Sequence, residues 1–251
     1  MARQKGIIKL EGTLSDVTFY KSKDGYMARE KGGVSGERIA SDPAFVRTRE
    51  NQAEFGRAGK AGKLLRTAFR VLWQNAADGR MVSRLHKELM RVVKADSTSS
   101  RGQRNVLDGE LELLEGFEFN LSGKLSQTLF APFTVAIDRA AGTLSLTVPP
   151  FVPLNRIGAP AEATHYQVIS GGGEIDFEGN VYEVKTNISA VLPISSVNST
   201  ALEVSFTVTA ATTHPLFVVL GLCFYQQVNG SHYPLKNGAY NALALVKVSG
   251  V

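Results

Sequence analysis

Leu216-Phe217-Val218-Val219-Leu220-Gly221-Leu222-Cys223-Phe224-Tyr225 is the longest apolar run in the chain, and its length decides what it is. A bilayer-spanning helix needs about 20 consecutive apolar residues. This run is strand-sized and broken by Gly221, so it reads as a strand and excludes a membrane span. The same texture recurs around it. Short β-prone segments cover Phe130 to Ile137, Leu144 to Val148, Thr164 to Ser170, Val181 to Leu192, Leu202 to Thr209, His232 to Leu235 and Ala242 to Val248. Turn signals separate them: Asp138 to Gly142, Gly171-Gly172-Gly173, Val197-Asn198-Ser199, Asn229-Gly230 and Asn237-Gly238. About eight strands without a helical period predict an antiparallel β-sandwich of immunoglobulin-like type, with a partly closed barrel as the alternative.

Upstream, the pattern changes. Ile7, Ile8 and Leu10, then Val17-Thr18-Phe19-Tyr20 and Tyr26-Met27-Ala28-Arg29, read as β structure, and Asp24-Gly25 between the last two predicts a hairpin. Such a hairpin has few large apolar groups and is marginal alone in water, so it must lean on something else. Gly32, Gly33 and Gly36 make residues 31–41 a flexible connection. Asp42-Pro43 is a helix start, an N-cap acceptor followed by a residue preset to helical φ.

Gly56, Gly59 and Gly62 recur every third residue in that helix among Ala58 and Ala61, and each glycine costs about 1 kcal/mol against alanine. Two readings fit: a break between two shorter helices, or a small-residue face that lets another backbone approach. A second helix is expected over Arg80 to Lys94, with Met81, Leu85, Leu89 and Val92 or Val93 on one face. Asp96 to Gln103 reads as a linker, which divides the chain into a hairpin-plus-helix segment, 1–104, and a β domain, 105–251. Residues 109–120 alternate acidic and apolar groups as a half-buried strand does. The predicted class is therefore α+β.

Charge follows that division. Residues 1–104 hold 22 Lys and Arg against 11 Asp and Glu, and residues 105–251 hold 6 against 12. A basic front and an acidic back admit three readings: a solvated helix face, a nucleic-acid binder, or head-to-tail contact between copies. No zinc-finger spacing or ribonucleoprotein motif accompanies the basic residues.

The chemistry-bearing residues form no catalytic constellation. His86, His165, His214 and His232 have no metal-ligand spacing. The triple glycine leads into Glu174, Asp176 and Glu178 rather than a phosphate-clamping lysine, and no serine lies in a Gly-x-Ser-x-Gly elbow. Those three carboxylates are expected to alternate along one strand face and to bind a neighbour's arginines, calcium being a poorer fit for want of a dedicated loop. Cys223, the single cysteine, is expected to be a buried thiol of raised pKa. No cofactor or metal is expected. Ile7 and Ile8 are too short an apolar stretch for a signal peptide, which implies a cytoplasmic protein or release by another route.

The text Lys5 to Leu14, Phe19 to Tyr26, Ala28 to Gly33, Asp42 to Asn51 and Glu54 to Lys63 resembles an uncharacterised protein family of Bacteroidetes-type bacteria. The resemblance covers about the first 70 residues and implies a lineage without an activity. The expectation is a non-enzymatic, self-assembling filament, tube or sheath subunit. Phe19, Tyr20, Tyr26, Arg29, Arg47, Arg49, Arg57 and Lys60 would dock on Glu174, Asp176 and Glu178 of a neighbour, by strand addition to an open sheet edge. A nucleic-acid binder and a ligand- or glycan-binding sandwich are the alternatives.

Overall fold

The computed structural model describes residues 2–30 and 32–250 and divides into two compact units, one up to Arg49 and one from Glu50. In the first, β1 (Ala2–Arg3), β2 (Gly12–Leu14), β3 (Val17–Ser22) and β4 (Gly25–Glu30) form one antiparallel sheet in the order β1-β4-β3-β2. The predicted hairpin is β3 and β4, with Ser22 paired to Gly25 across a tight turn. Gly25 takes φ +106°, a conformation that side chains resist. Ile7, Ile8 and Leu10 are not a strand. They lie in the connection from β1 to β2, where the Gln4 side chain accepts from the Leu10 N–H and donates to its carbonyl.

The connection expected to be flexible contains a helix, α1 (Gly36–Ser41), capped by the Ser35 hydroxyl accepting the Arg38 N–H; Lys31, at its start, lies outside the described residues. Asp42 accepts the Ala44 N–H at 2.9 Å and Pro43 opens a single turn. That turn runs into α2 (Val46–Ala68), and the unit boundary falls in the first turn of α2. None of the described residues from 2 to 49 is buried.

The second unit adds α3 (Arg70–Trp73) and α4 (Met81–Ala95) to nine strands. These are β5 (Thr134–Asp138), β6 (Thr143–Val148), β7 (His165–Asp176), β8 (Val181–Ile188), β9 (Leu192–Pro193), β10 (Leu202–Thr207), β11 (Leu216–Val228), β12 (Ser231–Pro234) and β13 (Ala242–Ser249). Two antiparallel sheets result. One has the order β10-β6-β5, and the other is built on the β11-β7 pair, with β12 and β13 beside β11 and with β8 and β9 beside β7. The chain is thus a mixed structure of helices and antiparallel sheets.

The larger sheet is covered on both faces. On one, Ala58 and Leu65 of α2 and Leu85, Leu89 and Val92 of α4 share a core with Ile169, Ile175, Phe217, Val219, Leu243 and Leu245. On the other, Leu144, Leu146 and Phe206 of the smaller sheet meet Leu216, Val218, Leu220 and Leu222. Successive residues of a strand point to opposite faces, so burial on both sides is why the Leu216 run is apolar without alternation.

The expected boundary at 104/105 therefore falls inside the second unit. α2 and α4 bury their apolar faces on the strands that follow, and the segment read as a linker is fastened to α2. The Gly102 N–H donates to Glu54 Oε1 at 2.8 Å, while Arg57 donates to the carbonyls of Gly102 and Arg104 at 2.6 and 3.1 Å. Arg101 reaches Asn51 and Glu50 one turn earlier. Residues 109–120 are not a strand either. Leu111–Leu114 make a 3-10 turn that buries Leu111 and Leu114. A short stretch around the Glu118–Ala244 bridge is tied to β13, with Gly116 and Phe119 donating to the carbonyls of Leu245 and Leu243 and Phe117 accepting the Leu245 N–H.

The glycine-bearing helix is continuous, and its small face is used within the chain. A Cβ on Gly62 would lie 2.9 Å from Leu89 Cδ1, and one on Gly59 would touch the His86 ring, so these glycines admit α4 to close packing. Gly56 has open space around it. Gly56→Ala is therefore expected to stabilise the fold by about 1 kcal/mol. Gly62→Leu is expected to destabilise it by about 2 kcal/mol through overpacking. Urea denaturation of both variants checks the opposite signs.

Candidate assembly surfaces

Residues paired across antiparallel strands share a face, and alternate residues take opposite faces. The register of the N-terminal sheet thus sorts its side chains. One face carries Leu14, Val17, Phe19, Tyr26, Ala28 and Ala2, with Lys21 and Glu30 at its two ends. The other carries Thr13, Thr18, Tyr20, Met27, Arg29 and Arg3. Phe19 and Tyr26, nominated from the sequence, fall on the apolar face; Tyr20 and Arg29 fall together on the opposite one, with the Arg29 guanidinium 5.6 Å from the Tyr20 ring. Leu14, 70% exposed, and Val17 are open to water while Phe19, Tyr26 and Ala28 are half-buried. A small sheet with no buried side chain on either face is marginal by itself.

The remaining nominated residues separate. Arg47 and Arg49 lie in the first turn of α2, and Arg49 donates to the carbonyls of Ile39 and Asp42 at 2.7 and 3.0 Å. Arg57 is spent on the 102–104 carbonyls described above. Lys60 is exposed and lines a groove of the second unit together with Arg57, Phe177 and Glu178. Groups expected to meet across an interface between copies thus flank one groove of the same unit.

Glu174 and Asp176 alternate on β7 as expected, whereas Glu178 lies beyond the end of the strand. Glu174 is buried and accepts the Thr209 hydroxyl at 2.7 Å. Asp176 ends β7 and accepts the N–H groups of Glu178 and Gly179. Glu178 stands exposed in the turn that follows. Of the three, Glu178 is the one whose charge reaches solvent fully. The division of charge also changes with the unit boundary: residues 1–49 hold ten Lys and Arg against six Asp and Glu, and residues 50–251 hold 18 against 17. The basic character belongs to the first unit, and the second is close to neutral.

An open edge, not resolved by the sequence, completes the picture. β8 lies at the border of the larger sheet, pairs with β7 and leaves Val181 61%, Tyr182 41% and Ile188 51% exposed. The outward-pointing N–H and C=O groups of this eight-residue edge strand are a template for another strand. In the N-terminal sheet, β2 and β1 are the corresponding edges.

No protein-family model, curated protein or solved structure matches the chain. Among the described residues, no cluster of three or more His, Cys, Asp or Glu has the geometry to hold a metal ion, and no helix is long and apolar enough to cross a membrane. Cys223 is buried in the core as expected, and burial pushes its thiol up to about 11. His165 and His232, far apart in sequence, are brought together with ring centroids 4.4 Å apart. Burial, and then the neighbouring His232, lower the His165 pKa.

Proposed function

We propose that the chain is a non-enzymatic structural subunit that assembles with copies of itself, the N-terminal unit supplying the contact. The observation that carries this reading is that no described residue from 2 to 49 is buried, although the sheet presents Leu14, Val17 and Phe19 on one face. Apolar area left in water contributes nothing to stability, whereas covering it contributes about 25 cal/mol per Å². Growth is head to tail: an edge of the basic N-terminal sheet adds to the β8 edge of a neighbour, beside the exposed Glu178. Strand addition draws its affinity from main-chain hydrogen bonds, and it needs no side-chain constellation of the kind an enzyme requires.

In the finer fold reading, the two sheets of the second unit form a β-sandwich of immunoglobulin-like type, with the helical layer outside it. The family resemblance of the first 70 or so residues is compatible with this role and adds no activity to it. Sedimentation velocity and negative-stain microscopy of the purified chain test the proposal across a salt series. Oligomers are expected at micromolar concentration, growing as protein concentration rises. A uniform monomer at every salt and concentration sinks the reading, and co-purifying nucleic acid with steep salt-dependent release would favour phosphate binding instead.

A further inference from the structure

We infer that the apolar face of the N-terminal sheet packs against the same face of a second copy about a two-fold axis. This rests on the self-assembly reading and specifies one of its contacts. The face has an ordered layout. Leu14, Val17 and Glu30 form one row across the strands, Gly12, Phe19, Ala28 and Ala2 the next, and Lys21 and Tyr26 the third. Its charges lie at opposite ends, four residues apart along the strand direction, or about 13 Å at the usual strand rise. That separation is too long for an ion pair within the chain. The Lys21 and Lys9 ammonium groups stand 5.5 and 6.0 Å from the Tyr26 ring, so the third row is the cationic end. Arg3 and Arg29 point to the other face and do not oppose a second copy here.

A rotation of 180° about a line through the Phe19 row reverses the strand direction. It places the Lys21 end of one copy over the Glu30 end of the other, with the apolar rows between them. Facing sheets pack about 10 Å apart, within reach of lysine and glutamate side chains together. The surface is thus complementary to itself, as a closed two-fold interface requires. A partner of one charge sign would satisfy only one end, which is why the occupant is a second copy. The edges β1 and β2 remain open in such a pair, so the face contact and head-to-tail growth use different surfaces.

The test uses the full chain and mixing. Lys21→Glu alone places Glu against Glu at both ends of the pair, and Glu30→Lys alone places Lys against Lys; each is expected to weaken the dimer by about tenfold. An equimolar mixture of the two variants is expected to regain wild-type affinity, because the mixed pair sets opposite charges together at both ends. A mixture no tighter than its components overturns the inference. Should either variant lose its circular dichroism spectrum, cross-linking decides. Ala28→Cys lies in the axis row and is expected to give a dimer with a short bismaleimide, and Thr18→Cys, on the opposite face, is not. Equal cross-linking of the two, or none of Ala28→Cys, also overturns it. Polymers that form without rescue by mixing remove the face contact and leave assembly standing. A rescued dimer that never grows retains the face contact and removes head-to-tail growth.

Discussion

Gly173→Ala is expected to cost about 3 kcal/mol of stability, the largest effect of any single methyl group added to this chain. A Cβ at position 173 would lie 2.1 Å from the Glu183 carbonyl oxygen and 2.6 Å from Val184 Cα, and both atoms belong to the backbone of the paired strand. No rotamer relieves that contact. β8 must move away from β7, and the Gly173–Val184 register is lost with it. The neighbouring glycines form a graded series. At Gly172 the nearest atom is Phe206 Cδ2 at 2.6 Å, a ring that turns only against its own core, and at Gly171 it is the Leu72 methyl at 2.8 Å, the end of a flexible side chain.

The expected order of destabilisation is thus 173, then 172, then 171. For a unit of this size 3 kcal/mol corresponds to a fall in Tm of about 6 to 12 °C. Calorimetry or urea melts read it directly, and a Gly173→Ala variant within 0.5 kcal/mol of wild type would show that the strands do not approach as described. Because β8 is also the proposed docking edge, the same variant is expected to assemble poorly at temperatures where its core remains folded.

That triplet shows where a sequence reading stops. Three adjacent glycines signal a turn by local rules, yet here they are mid-strand, since Leu72 enters from the helical layer and Phe206 from the smaller sheet. The demand for small residues is tertiary, and nothing local announces it. The strands around it were legible because turn residues bound each apolar segment, and the Leu216 to Tyr225 run lies wholly within β11 and begins where it begins. The α4 reading held for the same reason: its Met81, Leu85, Leu89 and Val92 face is strictly periodic and is the buried face.

The domain border was misplaced because the polarity of residues 96–103 signals solvent or a loop, and polarity is silent about whether the loop is tied down. The ties are Glu54 and Arg57, single residues on a helix some 45 positions away. Of the nominated contact residues, the aromatic ones lie half-buried on β3 and β4. The charged ones were harder: Arg49, Arg57 and Glu174 are consumed by hydrogen bonds inside their own chain, and a count of charges along a sequence cannot separate spent charges from free ones.

Asp96 is the residue that turns this loop into structure, and removing its carboxylate is expected to cost about 2 to 3 kcal/mol. It follows the last turn of α4 and is buried, 2% exposed. Its Oδ1 accepts the N–H and hydroxyl of Thr98 at 2.9 and 3.0 Å and the N–H of Ser99 at 2.9 Å, and its Oδ2 accepts the N–H of Asn105 at 3.1 Å. Burial by itself would raise the pKa. The donors outweigh it, the N–H groups of Ser99 and Asn105 first and the Thr98 and Ser99 side chains after them, and hold the carboxyl well below the usual range. Asp96→Ala leaves those donors without an acceptor, and Asp96→Asn keeps an oxygen but loses the charge that strengthens each bond. Since the folded pKa lies below the unfolded value of about 3.9, the carboxylate's contribution is complete above that value and drains away as pH falls through the folded one. The stability difference between wild type and Asp96→Asn is therefore expected to be constant from neutral pH down to about pH 5 and to narrow steadily below about pH 4. Urea melts of both proteins along that pH series measure the gap, and a difference that stays level into the acid range would mean that Asp96 acts through its shape and not its charge.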